Sequence, residues 1–137
     1  MRNANFKRTM VCSCVFMILA SGVMAQDWPQ WRGANRDGKA GGFTAPKSWP
    51  KELAKKWNIP VGRADATPAL VGDKLYVFAR QDTNEVTLCL EAATGKELWR
   101  DSYPAGAATG PASEHPGPRS SPTVADGKVV TLGVRGT

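Results

Sequence analysis

The pattern of one eleven-residue stretch of this chain returns further along it. Thr67-Pro68-Ala69-Leu70-Val71-Gly72-Asp73-Lys74-Leu75-Tyr76-Val77 aligns without gaps on Ser121-Pro122-Thr123-Val124-Ala125-Asp126-Gly127-Lys128-Val129-Val130-Thr131, an offset of 54 residues. A second pair gives a shorter spacing: Lys56-Trp57 aligns on Leu98-Trp99, an offset of 42. The difference of 12 residues must lie between Trp99 and Pro122, where residues 103–119 are rich in Pro, Gly and Ala and carry no strand pattern. The basic unit is therefore 42 residues long with an insertion in its second copy. A repeating unit constrains the fold closely, because each copy has to bury its faces against the next.

Inside the unit the pattern is that of short strands. Residues 66–71, 74–79 and 86–91 alternate or run apolar between turn residues, and residues 55–61 contain Trp57 and stop at Gly62. Gly72-Asp73 fits a two-residue hairpin turn and Asp82-Thr83-Asn84 a slightly longer one. Ala93-Thr94-Gly95-Lys96 makes a tight turn into Glu97-Leu98-Trp99-Arg100. Leu75, Val77 and Ala79 face one side of their strand and Tyr76 and Phe78 the other. Both sides are apolar, as in a strand held between two sheets. The expected fold class is all-β, with β-propeller blades of four antiparallel strands. One full blade is expected over residues 66–100, an insertion over 101–119, and the start of a second blade over 120–137, leaving the ring incomplete.

The segment before these strands has a different character. Residues 26–54 are dense in Gly, Asn, Asp and Trp and have no period of two or 3.6, so they are expected to form an irregular arm pinned by Trp28 and Trp31. Ahead of the arm, Arg2, Lys7 and Arg8 precede an apolar run over residues 10–20, and Val23-Met24-Ala25 closes it with the pattern a signal peptidase reads. The run is short for a bilayer span and is interrupted by Ser21-Gly22. Residues 1–25 are thus expected to be a signal peptide cleaved between Ala25 and Gln26. The product would be exported to the periplasm or outside the cell, with no stable membrane span.

Cleavage would remove three of the 18 basic residues and none of the 12 acidic ones, leaving a surplus of three positive charges. Those charges are scattered along the chain, which argues against nucleic acid as a partner. Cys12 and Cys14 would leave with the signal, so Cys89 would be the only cysteine of the mature chain and no intramolecular disulfide is expected. Its place in an alternating apolar strand makes it a small buried hydrophobe rather than a reactive thiol.

Leu88-Cys89-Leu90-Glu91-Ala92-Ala93-Thr94-Gly95-Lys96-Glu97-Leu98-Trp99 resembles the tryptophan-docking motif of the pyrroloquinoline-quinone-like β-propeller repeat family. Thr94, Gly95 and Trp99 match that motif, while Cys89 stands where it has alanine and Glu91 where it has aspartate. Trp28-Pro29-Gln30-Trp31-Arg32-Gly33, followed by Asn35-Arg36-Asp37-Gly38, is similar to the leader ahead of the first blade in exported propellers of this type. The resemblance implies radial sheets around a channel, with residues 55–61 as a strand that completes the last blade. It also implies an amino-terminal piece of a larger protein, because a single repeat cannot bury its own core.

The motif serves architecture, and no catalytic constellation accompanies it. Quinoprotein dehydrogenases of this family hold pyrroloquinoline quinone with calcium, a catalytic aspartate and, in many, adjacent cysteines. None of these can be carried onto this sequence. Asp37 lacks the alternating ligand ladder of a calcium loop. Glu114, His115 and Ser120 or Ser121 have neither a nucleophile elbow nor a triad spacing, and they read as polar loop residues. Long loops at a propeller rim are where binding surfaces are built, so residues 103–119 are the expected place for a ligand or partner. The expectation is a non-enzymatic binding or assembly scaffold of the cell envelope, whose partners are other proteins or further blades. The alternative is the amino-terminal part of a pyrroloquinoline-quinone-dependent dehydrogenase.

Overall fold

A computed structural model describes residues 26–137; the expected signal segment, Ala25 included, lies outside the described residues. Four strands follow one another in an antiparallel meander: β1 (Ala69–Val71), β2 (Lys74–Gln81), β3 (Asn84–Glu91) and β4 (Glu97–Pro104). After a 3-10 turn at Gly110–Glu114, β5 (Thr123–Ala125) and β6 (Lys128–Val130) form a separate antiparallel hairpin. The described residues are all-β, with that turn as their only helical element.

Local sequence explains the connections. Gly72 and Gly127 sit at positive φ in the two equivalent hairpins, β1–β2 and β5–β6, with Asp73 following the first glycine and Asp126 preceding the second. The register Gln81↔Asn84 leaves only Asp82 and Thr83 between β2 and β3, one residue fewer than expected, with Asp82 at φ 51°. A bulge between Cys89 and Leu90 shifts the pairing, so that Cys89 faces Trp99 and Leu90 faces Glu97.

The alternation of β2 and β3 divides the core into two layers. On one face Val77, Ala79, Val86, Leu88 and Leu90 are buried and are covered by Ile59, Val61 and Leu75. On the other, Ala69, Tyr76 and Cys89 pack with Val71 and with Val124 and Val129 of the second hairpin. The central sheet therefore has apolar cover on both sides. Each fully buried Val, Leu or Phe here contributes about 1.5–3 kcal/mol.

Two boundaries differ from the sequence reading. Residues 55–61 belong to no strand; Ile59 and Val61 pack on the sheet face, and the first ladder-type contact of this segment is the backbone pair Arg63↔Arg80 just beyond it. Pro60 removes one backbone donor from this segment, which favours lying on a face over pairing at an edge. Residues 101–104 belong to β4 rather than to the insertion, because β4 pairs with β3 along its whole length, out to Asn84↔Pro104. The sheet thus runs over 69–104, and the insertion without strand begins at Ala105.

The arm is held mainly by its backbone. The Trp28 amide donates to the Leu70 carbonyl at 2.7 Å, the Leu70 amide returns the bond at 2.9 Å, and the Val124 amide donates to the Pro29 carbonyl at 2.8 Å. Residues 28 and 29 consequently tie β1 to β5. Trp28 packs on Gly33, whereas Trp31 is 58% exposed with only the Arg32 guanidinium over its ring. The arm is thus tied to the sheet through the Trp28 backbone, while the Trp28 ring lies on the arm's own Gly33.

Candidate functional site

The sheet has two ends, and the residues singled out by the repeat motif gather at one of them. In the turn after β3, the Gly95 amide donates to the Glu91 carbonyl at 2.8 Å and the Glu91 amide to the Lys96 carbonyl at 2.8 Å. The Thr94 hydroxyl donates to the Glu91 carboxylate and accepts from the Lys96 amide at 3.1 Å. Gly95, at φ 75°, lies under the indole of Trp57: an added Cβ would come within 2.6 Å of its Cε3. The Trp57 Nε1 donates to the Ala92 carbonyl at 3.0 Å.

The tryptophan seated on this turn is therefore Trp57, 42 residues before Trp99. Trp99 lies on the edge strand β4, 42% exposed, tilted against the Tyr76 ring of its own sheet at 6.0 Å. Cys89, opposite Trp99 in the ladder, is fully buried, and burial raises its thiol above the ordinary value. Gln26 is exposed at the first described position. These contacts hold backbone and ring in place.

The opposite end carries the insertion. Arg80, mostly buried, donates from its two guanidinium nitrogens to the carbonyls of Ala105 at 2.7 Å and Gly106 at 3.3 Å. The Ala105 amide donates to the Thr83 carbonyl at 3.0 Å, and further along the Asp65 amide donates to the Pro118 carbonyl at 3.0 Å. Gly117 packs directly on the Arg63 backbone with no room for a side chain. The insertion is thus bound at its start and its end, and the intervening residues 107–116 carry the 3-10 turn outward.

A buried carboxylate joins this end to the segment that follows the second hairpin. Glu85, 1% exposed, accepts from the Tyr103 hydroxyl at 2.6 Å and from the Val134 amide at 2.9 Å. Gly133 lies against both Glu85 and Tyr103. Burial first, and then the Glu85 carboxylate, push the Tyr103 phenol well above the ordinary tyrosine range. Sequence reasoning missed Arg80, Glu85 and Gly133 as a connected set. The available signal was a charged pair flanking the β2–β3 turn within otherwise apolar strands.

The polar loop residues have separate partners, with Glu114 and His115 lining one cavity and the two serines bonded elsewhere. His115 Nδ1 lies 3.5 Å from Asp65 Oδ1, and both side chains are largely exposed. The Ser120 hydroxyl is committed to the backbone of Leu132, and the Ser121 hydroxyl accepts from the Thr67 amide at 3.1 Å. Asp37 accepts from the Lys39 amide at 3.0 Å, a local turn contact. Among the described residues no group of three or more His, Cys, Asp or Glu side chains is placed to hold a metal ion, and no helix is long and apolar enough to cross a membrane. What this end offers is open surface: a cavity lined by Pro60, Arg63, Arg80, Gln81 and Pro116, a neighbour around His115, and a third between the insertion and residues 134–135. Comparison with protein-family models, curated proteins and solved structures gave no match.

Proposed function

We propose that this chain is the amino-terminal part of an exported β-propeller of pyrroloquinoline-quinone-like repeats, and that the propeller works as a binding or assembly scaffold in the cell envelope. The observation that carries the reading is the seating of Trp57 on the Thr94-Gly95 turn, next to a four-stranded antiparallel meander with apolar cover on both faces. A sheet of this kind is a unit to be stacked. Trp99 lies 42 residues after Trp57 and is partly open to solvent, so it is available to a following Thr-Gly turn in the same way.

The scaffold reading is preferred over a dehydrogenase because the residues gathered at either end of the sheet position backbone and charge without presenting a nucleophile, a base and an acceptor together. The contact surface is the insertion end, residues 105–119 with the neighbouring Arg63 and Arg135. The test is a photo-crosslinking amino acid at exposed Ser113 in cells that export the protein. A discrete protein adduct is expected. No adduct, or saturable dye reduction that depends on added pyrroloquinoline quinone and calcium, would contradict the reading.

A further inference from the structure

Arg119, at the end of the insertion, and Arg135, after the second hairpin, come from separate segments and line one open cavity of 390 Å³. Each guanidinium is oriented by backbone. Arg119 Nη2 donates to the carbonyls of Ala112 at 3.5 Å and His115 at 3.4 Å, and Arg135 Nη2 donates to the Ala107 carbonyl at 3.2 Å. Carbonyls aim these groups but leave their charge in place. Neither arginine belongs to an ion pair among the described residues, and no acidic side chain lines the cavity. Asp65 and Glu114 line the separate space around His115, and the Glu85 carboxylate is buried and occupied by Tyr103 and Val134.

Two uncompensated guanidiniums around one cavity match a dianion, and their planar forks fit the oxygens of phosphate or sulfate. The rest of the lining is Thr109, which adds a hydroxyl, and Ala108, Ala112 and Val134, which give an apolar wall beside the charges. A bare oxyanion would leave that wall unused. We propose that this cavity binds the phosphate or sulfate ester of a small organic molecule, with Arg119 and Arg135 on the ester oxygens and the organic part against Ala108, Ala112 and Val134. The assignment rests on reading the insertion end as the protein's binding surface and names the chemistry it recognises.

The test is an NMR titration of the exported protein with phenyl phosphate, and in parallel with inorganic phosphate and benzoate. Saturable shifts are expected at the amides of Ala108, Thr109, Ala112, Val134 and Arg135, with phenyl phosphate tightest and benzoate weakest. R119Q or R135Q should each weaken phenyl phosphate about five- to tenfold, and the double variant should lose saturation, while added salt weakens binding to the unaltered protein. The indole resonance of Trp57, at the opposite end of the sheet, reports that the variants keep their fold. Unchanged binding by the double variant, benzoate as tight as phenyl phosphate, or no saturable shift would overturn the site. Inorganic phosphate as tight as phenyl phosphate would overturn the ester assignment. Loss of the Ser113 adduct with phosphate-ester binding intact refutes the scaffold alone, and the reverse result refutes this site alone.

Discussion

Replacing Gly95 by alanine separates two costs that the structure assigns to one position. Gly95 has φ 75°, a conformation that costs an L-residue roughly 1–2 kcal/mol. The new methyl would also stand 2.6 Å from Cε3 of Trp57, so the indole must leave its seat and its hydrogen bond to the Ala92 carbonyl. Loss of that bond and of part of the ring contact adds about 1–2 kcal/mol. The sum is roughly 2–4 kcal/mol, or about 30- to 1000-fold faster amide exchange at the turn, since 1.36 kcal/mol is a factor of ten. Gly72 is the internal control, because it has φ 58° and nothing within 4 Å of an added Cβ. G72A should therefore show the backbone cost alone, about five- to thirtyfold at its own turn. The assay is hydrogen exchange at the Glu91 and Gly95 amides with Trp57 fluorescence read alongside. Equal effects for G95A and G72A, or an unchanged Trp57 emission in G95A, would refute the claim that this turn is a seat for Trp57.

Other outcomes follow from the insertion end and the leader. Glu85→Ala removes the acceptor of both the Tyr103 hydroxyl and the Val134 amide, and should destabilise the junction by roughly 2–4 kcal/mol, seen as faster exchange at Val134; unchanged exchange there would contradict the buried bridge. Both tyrosines of the chain, Tyr76 and Tyr103, are raised above the ordinary value, chiefly by burial. The folded form holds the phenolic proton more tightly than the unfolded form, so the stability it contributes is complete below pH of about 10 and is lost as pH rises above it. A near-ultraviolet titration of the folded protein should show less than half of the tyrosine ionised at that pH, and half ionisation or more there, as for a free phenol, would refute the burial argument. Mass spectrometry of the product from a secreting cell should find its amino terminus at or near Gln26; a retained Met1 on a membrane-held protein would contradict the export proposal.

The strand order was legible because alternation in 74–79 and 86–91 and the glycines of the turns act locally. The end of β4 was not. Asp101 and Ser102 look like loop residues, and only their pairing with Thr87 and Val86 makes them strand. Residues 55–61 show the opposite error: an apolar sequence carries no mark of whether it will pair at an edge or pack on a face, and Ile59 and Val61 take the face. At the motif, sequence spacing identified Thr94, Gly95 and Trp99 but carried no sign that Trp57 is the ring seated on the Thr94-Gly95 turn, a contact between segments distant in the chain. The Arg119 and Arg135 cavity depends on a contact between segments that no local pattern encodes.

Inter-residue nuclear Overhauser contacts in the exported protein report the seat of Trp57 and the strand register together. Contacts are expected from the Trp57 ring to Gly95, from Val129 to Tyr76, and across the strands for Tyr76↔Cys89 and Cys89↔Trp99. Helical contacts across residues 74–79, or a folded sheet in which Trp57 touches no part of the Thr94-Gly95 turn, would contradict that seat and register.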